Sequence, residues 1–190
     1  MKVDFGSVTD AVRALRRGGV VLVPTETVVG LVCTEAGLQK VYSIKGRDEG
    51  KPVALLCREA EEALSLAEEV PESGRRLARR LWPGPLTLVL SSRESGGTVG
   101  VRVPLGTVRE VLEAYGAPLY ATSANPSGEE PPRALGGVER EIIESVDVVV
   151  PGEPGNGEAS AVVDVTGERP TLLRPSARLD EQKLQEMLAE

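Results

Sequence analysis

The 190-residue sequence contains no histidine. That absence excludes Ser-His-Asp triads, Cys-His dyads and every His-ligated zinc site. Its two cysteines, Cys33 and Cys57, sit in or beside apolar segments without metal-ligand spacing, so both are expected to be buried thiols. One Trp, three Tyr and one Phe are a thin supply for stacking nucleic-acid bases. No apolar run approaches the ~20 residues of a membrane span, and MKVDFGSVTD lacks the apolar centre of a signal peptide. A cytoplasmic protein with no membrane partner is the expectation. Positive charge is also short, with 22 Lys and Arg against 29 Asp and Glu, or −7 net. Direct RNA binding is therefore expected to be weak or absent. Neither a G-x-x-x-x-G-K-[ST] loop nor a G-x-G-x-x-G after a strand is present. Chemistry here must run on cations, carboxylates, hydroxyls and backbone amides.

What is present reads as an ordinary globular chain, 41% hydrophobic and 27% charged. Residues 1–190 are expected to form a single domain. Ser7 to Arg17 reads as a helix with a Ser7/Asp10 capping box, stopped by Gly18-Gly19. VVLV follows as a buried strand that breaks at Pro24. Leu38, Val41 and Tyr42 make a short helical stripe ending in KGR. PVALLC is strand-like, and REAEEALSLAEEV is an amphipathic helix. Pro71, in a first-turn position, opens another helix that Pro83-Gly84-Pro85 stops. LTLVL, VGVRVP, PLYAT, DVVVP, AVVDV and TLLRP read as strands. Helices are expected near Val108–Tyr115, Val138–Ser145 and over LDEQKLQEMLAE, with a loop from Pro151 to Gly157. The interleaving implies an α/β fold, a twisted mixed β-sheet with flanking helices, and ligands gathered where strands end.

Several polar residues interrupt this pattern. Lys45, Arg47 and Lys51 crowd one loop around Gly46 and Gly50, which is either a solvated basic loop or a phosphate clamp. Arg102 breaks an alternating apolar strand and needs an anionic partner, whether a protein carboxylate or a ligand. Arg174 in TLLRPS stands in a similar context. ATSANPSG places Ser123 and Ser127 directly after a strand, either as a Ser/Asn-rich turn or as a loop whose amides approach a ligand closely. Ser160 stands at the mouth of another strand, with Asp164 along it. In PTETVVGL, Thr25, Glu26 and Thr27 put two hydroxyls and a carboxylate at the end of a buried strand.

The segments PTETVVGL, KGRDEGKP, WPGPLTLVL, TVGVRVP, TSANPSG, SAVVDV and LLRP, in this order from Pro24 to Pro175, resemble the YrdC-type threonylcarbamoyl-AMP synthase family in its short form, without an additional C-terminal domain. The resemblance implies a YrdC-like fold and a nucleotidyltransferase that joins L-threonine, bicarbonate and ATP into threonylcarbamoyl-AMP with release of pyrophosphate. A downstream transferase complex would then modify a tRNA adenosine next to the anticodon. Carried over by position, Thr27, Arg102, Ala121 and Ser160 would bind threonine. Arg47, Lys51, Thr98, Ser123 and Arg174 would bind ATP. Lys45, Arg47 and Lys51 would act on the phosphates as the catalytic cations. ATP is then a substrate, accompanied by Mg2+ with ligands unassigned. Thr25 and Glu26 would brace the turn that presents Thr27.

Five positions depart from the family pattern. Val29 stands where Tyr is frequent, Leu56 where some members have His, and Pro131 where some have Ser. Ala161 replaces a common Thr and Ser176 a usual Gly. These departures leave open a paralogue acting on another carbamoyl or acyl-adenylate substrate. A structured-RNA-binding module is the alternative from a different class.

Overall fold

The computed structural model describes residues 5–94, 97–153 and 155–189. Among them, nine strands join in one mixed sheet: β1 (Val20–Pro24), β2 (Val29–Cys33), β3 (Ala54–Leu56), β4 (Leu86–Ser91), β5 (Thr98–Arg102), β6 (Leu119–Ser123), β7 (Val148–Val149), β8 (Ala161–Asp164) and β9 (Thr171–Arg174). Their spatial order is β7-β1-β2-β6-β3-β5-β4-β8-β9. The helices are α1 (Val8–Leu15), α2 (Leu38–Lys45), α3 (Ala60–Ser65), α4 (Glu72–Leu81), α5 (Thr107–Tyr115), α6 (Arg140–Ser145) and α7 (Glu181–Ala189). Pairs β1–β7, β3–β5 and β4–β8 are parallel and the others antiparallel. This is the expected α/β architecture.

Coverage of the sheet is unequal along its width. At the β1–β2 end both faces are buried. Helices α1 and α5 supply Ala11, Leu15, Val108, Val111 and Leu112 against Val21 and Val23. On the opposite face, α2 and α6 supply Val41 and Ile142 against Val20, Leu22 and Leu31. At the β4–β8 end, Leu86, Leu88, Leu90, Val101, Ala161 and Val163 pack with Leu77, Ala78 and Leu184 from α4 and α7. Because strand side chains alternate, Thr87, Val89, Gly100, Arg102, Ser160 and Val162 point the other way. That second face is the one left for a ligand.

Two local signals behave as expected. Ser7 caps α1, with its N–H donating to Asp10 Oδ2 (2.9 Å) and its Oγ accepting the Asp10 N–H (3.2 Å). Gly46 ends α2 in the left-handed region (φ 55°), and the Arg47 N–H then returns to the Tyr42 carbonyl (2.9 Å). This reversal turns the basic loop back toward the sheet.

Other elements differ. The sequence pattern assigned no strand to Val29–Cys33, yet β2 pairs along all of β1 as a hairpin. Burial on both faces replaces alternation by an unbroken apolar run, which hides a strand from periodicity. Helix α3 stops at Ser65, short of the expected Val70, because Ala67 bridges to Ser92 at the end of β4. Pro71 is the N-cap of α4 and not a first-turn residue. Pro154, inside the expected Pro151–Gly157 loop, and Glu190, at the end of the expected last helix, lie outside the described residues.

Candidate active site

A cleft of about 500 Å³ opens on the uncovered sheet face, within the usual size range of small-molecule sites. Its floor is a row of small residues in register. Ala121 lies opposite Ala54, and Gly100 lies opposite Val89 on the next strand. A Cβ on Gly100 would only reach ordinary contact with Ala54 and Thr87, both at 3.6 Å, so glycine here provides room above the sheet. The ligand space thus spreads over the sheet itself and is not confined to strand ends, as the topology alone suggested.

One wall is the turn of the β1–β2 hairpin. Thr25 Oγ1 donates to the Val28 carbonyl (2.8 Å) and accepts the N–H groups of Thr27 (3.1 Å) and Val28 (3.2 Å). Thr25 Oγ1 and Thr27 Oγ1 lie 2.7 Å apart and share a hydrogen bond. Arg102 Nη2 donates to Thr27 Oγ1 (3.0 Å) and to Glu26 Oε1. The second Glu26 oxygen accepts the Leu105 N–H (3.1 Å). Thr25 and Glu26 therefore brace the turn through paired hydroxyls and a carboxylate. Gly155 approaches this turn so closely that a Cβ would stand 2.4 Å from the Thr27 carbonyl oxygen, which requires glycine at that position.

Three guanidinium groups from distant parts of the chain meet in the cleft. Arg102 is only 7% exposed, and its Nε–H is buried without a partner. Arg47 donates to the Pro52 carbonyl (2.9 Å) and Thr122 Oγ1 (3.3 Å), while its Nε–H is also buried and unpartnered. Arg174 donates from Nε to the Ser160 carbonyl (2.8 Å) and from Nη2 to Ser160 Oγ (3.2 Å). Burial and the adjacent Arg102 charge push the Arg174 pKa below its usual value. Buried donors and mutual repulsion are relieved together by an anion placed among them.

Of the residues expected at the site, Thr27, Arg47, Thr98, Arg102, Ala121, Ser123, Ser160 and Arg174 all line this cleft. Lys51 is exposed and outside the lining, next to Pro52, which belongs to it. Lys45 differs from expectation. It is 3% exposed, and its ammonium donates to the carbonyls of Ser123 and Asn125. Burial, followed by repulsion from Arg47, lowers its pKa to about 8. Its hydrogen bonds hold the loop after β6, and Lys45 itself is not among the residues that line the cleft.

The cleft also contains residues not singled out from the sequence. Thr87 Oγ1 lies 2.9 Å from Ser160 Oγ, and Thr122 holds Arg47. The signal for Thr87 was the alternation in LTLVL, which places it opposite the leucines. Asn125 belongs to the ATSANPSG loop, which stood out for its small side chains and backbone amides and not for this side chain. Among the departures, Leu56 and Pro131 line the cleft, whereas Val29 is buried in the core beneath it. Both cysteines are buried, with burial raising each thiol pKa to about 12. Among the described residues, no three His, Cys, Asp or Glu side chains gather to hold a metal ion, and no helix is long and apolar enough to cross a membrane.

The family model Sua5_yciO_yrdC, described as telomere recombination, matches residues 13–176. A threonylcarbamoyl-AMP synthase of Pyrococcus abyssi is 34% identical over 187 residues, covering 92% of this chain but 55% of that protein. The same-named protein of Marinobacter nauticus is 35% identical over 167 residues, covering 80% of this chain and 88% of that protein. The crystal structure of P. abyssi Sua5 complexed with L-threonine superposes with a TM-score of 0.88 at 32% identity, over 96% of this chain and 57% of that one. The chain spans little more than half of the Pyrococcus relative and most of the Marinobacter one. It belongs to the Sua5/YciO/YrdC family.

Proposed function

We propose that this protein makes threonylcarbamoyl-AMP from L-threonine, bicarbonate and ATP and releases pyrophosphate. The observation that carries the reading is the convergence of Arg47, Arg102 and Arg174, two of them with buried Nε–H groups left for a ligand. Two relatives named for this product, and one solved with L-threonine, support it. Arg102 pairs with the threonine carboxylate beside Thr27, Ala121 and Ser160. Arg47, Thr98, Ser123 and Arg174 hold ATP, with Lys51 adding charge at the rim. Lys45 serves by position, fixing the loop that carries Ser123. Mg2+ enters with the triphosphate, a usual mode for this ion.

No protein nucleophile is needed. The threonine amine combines with bicarbonate to give a carbamate and water. A carbamate oxygen then attacks the α-phosphorus, the bond to the β-phosphate oxygen breaks, and pyrophosphate leaves. The protein aligns two anions and stabilises charge growing on the phosphates, which fixed cations in a preformed cleft accomplish. Residues 1–190 act as one domain in the cytoplasm. A downstream transferase complex passes the threonylcarbamoyl group to a tRNA adenosine beside the anticodon.

The test is incubation with ATP, bicarbonate and each amino acid in turn, followed by mass detection of the adenylate. The expected result is an adenylate with threonine and little with the others. No adenylate, or equal yields with all amino acids, contradicts the proposal.

A further inference from the structure

The cleft is rich in donors, and one buried acceptor in it has no partner. Asn125 is 7% exposed, and its Oδ1 makes no hydrogen bond. Its orientation is fixed. Nδ2 donates to the carbonyls of Pro126 (2.8 Å) and Glu129 (2.7 Å), so exchanging O and N would set an oxygen against two oxygens. The Asn125 backbone is fixed as well, since its own carbonyl accepts from Lys45 and the neighbouring Ser127 N–H donates to the Lys45 carbonyl (2.9 Å). A rigid, desolvated acceptor costs free energy until a donor reaches it.

Phosphates and carboxylates at neutral pH have no proton to offer this oxygen. The location of Asn125 indicates which ligand group does. Gly30 pairs with Ser123, and the Ala124 N–H donates to the Val29 carbonyl (2.9 Å). Asn125 follows that last contact with β2 and lines the cleft together with Thr27 and Val28 of the hairpin turn. Resting on the proposed amino-acid site, we infer that Asn125 Oδ1 accepts a hydrogen bond from the amino group of the amino-acid substrate. The contact anchors the nitrogen while the carboxylate is held by Arg102, and it persists with the remaining N–H of the carbamate. Asn125 thereby selects α-amino acids over carboxylates that lack the amine.

Calorimetric titration of the full chain with L-threonine and with (R)-3-hydroxybutanoate, the same skeleton without the amine, tests this. Wild type should prefer threonine, and in Asn125→Ala that preference should shrink by roughly tenfold, the loss of a hydrogen bond to a charged group. Equal weakening of both ligands, leaving the preference intact, overturns the inference and leaves Asn125 a loop-holding residue. No threonine binding by wild type overturns the amino-acid site itself. A second measurement needs no variant: in a crystal structure of wild type with L-threonine, Oδ1 should lie within hydrogen-bond distance of the amine, and a nitrogen bonded elsewhere contradicts the assignment.

Discussion

Arg102 and Glu26, 76 residues apart, form a buried ion pair that ties β5 to the turn of the β1–β2 hairpin. The side chains are 9% and 17% exposed, so little water competes with the contact. Glu26 occupies one terminal nitrogen of Arg102, while the Nε–H stays buried without a partner. The carboxylate that satisfies the arginine also fixes the position of a guanidinium that lines the cleft.

Removing one member of that pair strands the other. Glu26→Ala should destabilise the fold by on the order of 3 kcal/mol, because a buried guanidinium loses its counter-charge. Glu26→Gln keeps an acceptor and the shape, so its loss should be smaller. Urea unfolding of the two variants checks the order. Equal stability of Glu26→Ala and wild type would show that solvent reaches Arg102 freely.

Arg102→Ala should weaken threonine binding by ~2–4 kcal/mol, the loss expected when a charge-assisted pair in a desolvated site is broken. Thr27→Val keeps the side-chain shape but cuts the chain of hydroxyls from Arg102 to Thr25. It should lower affinity less than Arg102→Ala does. Threonine titrations of both variants check this, and unchanged saturation in Arg102→Ala would remove it from the site.

Lys45 gives a pH test with a definite sign. Its pKa is about 8 in the fold against an ordinary 10.5. Between those values the unfolded chain carries a proton that the folded chain lacks, so this residue's contribution to stability rises with pH across that window. In Lys45→Met that rise should vanish from the stability profile. The neutral amine still has two N–H groups for its two carbonyls, so the loop stays fixed above pH 8. Adenylate formation should therefore show no Lys45-dependent loss near that pH. A fall that tracks Lys45 would mean that its charge acts on the phosphates directly.

The floor of the cleft can be filled without touching a charged group. Gly100→Leu would project a side chain above Ala54 and Thr87 into the ligand space. Melting should change little, while binding of threonine and ATP is abolished. Retained binding by a folded Gly100→Leu protein would place the ligands elsewhere.

Much of this was legible from residue order, and the exceptions have physical causes. Alternation in LTLVL and VGVRV revealed β4 and β5, and a charge at Arg102 showed because it broke that alternation. Strand β2 was hidden because its two faces are both buried. Gly100 and Ala54 become a floor only in register with neighbouring strands, which local sequence does not contain. Lys45 looked like a free phosphate-binding cation because its partners are backbone carbonyls, and every residue type carries those. Glu26 was readable as a turn brace, but not as the partner of an arginine 76 positions away.

The central claim is that one hollow holds two anions on separate arginines, and binding measured with each ligand on two variants tests it most directly. Arg47→Ala should lose ATP affinity and keep threonine, Arg102→Ala should lose threonine and keep ATP, and wild type should bind both at once. Mutual exclusion of the two ligands in wild type, or identical losses in both variants, would contradict the account.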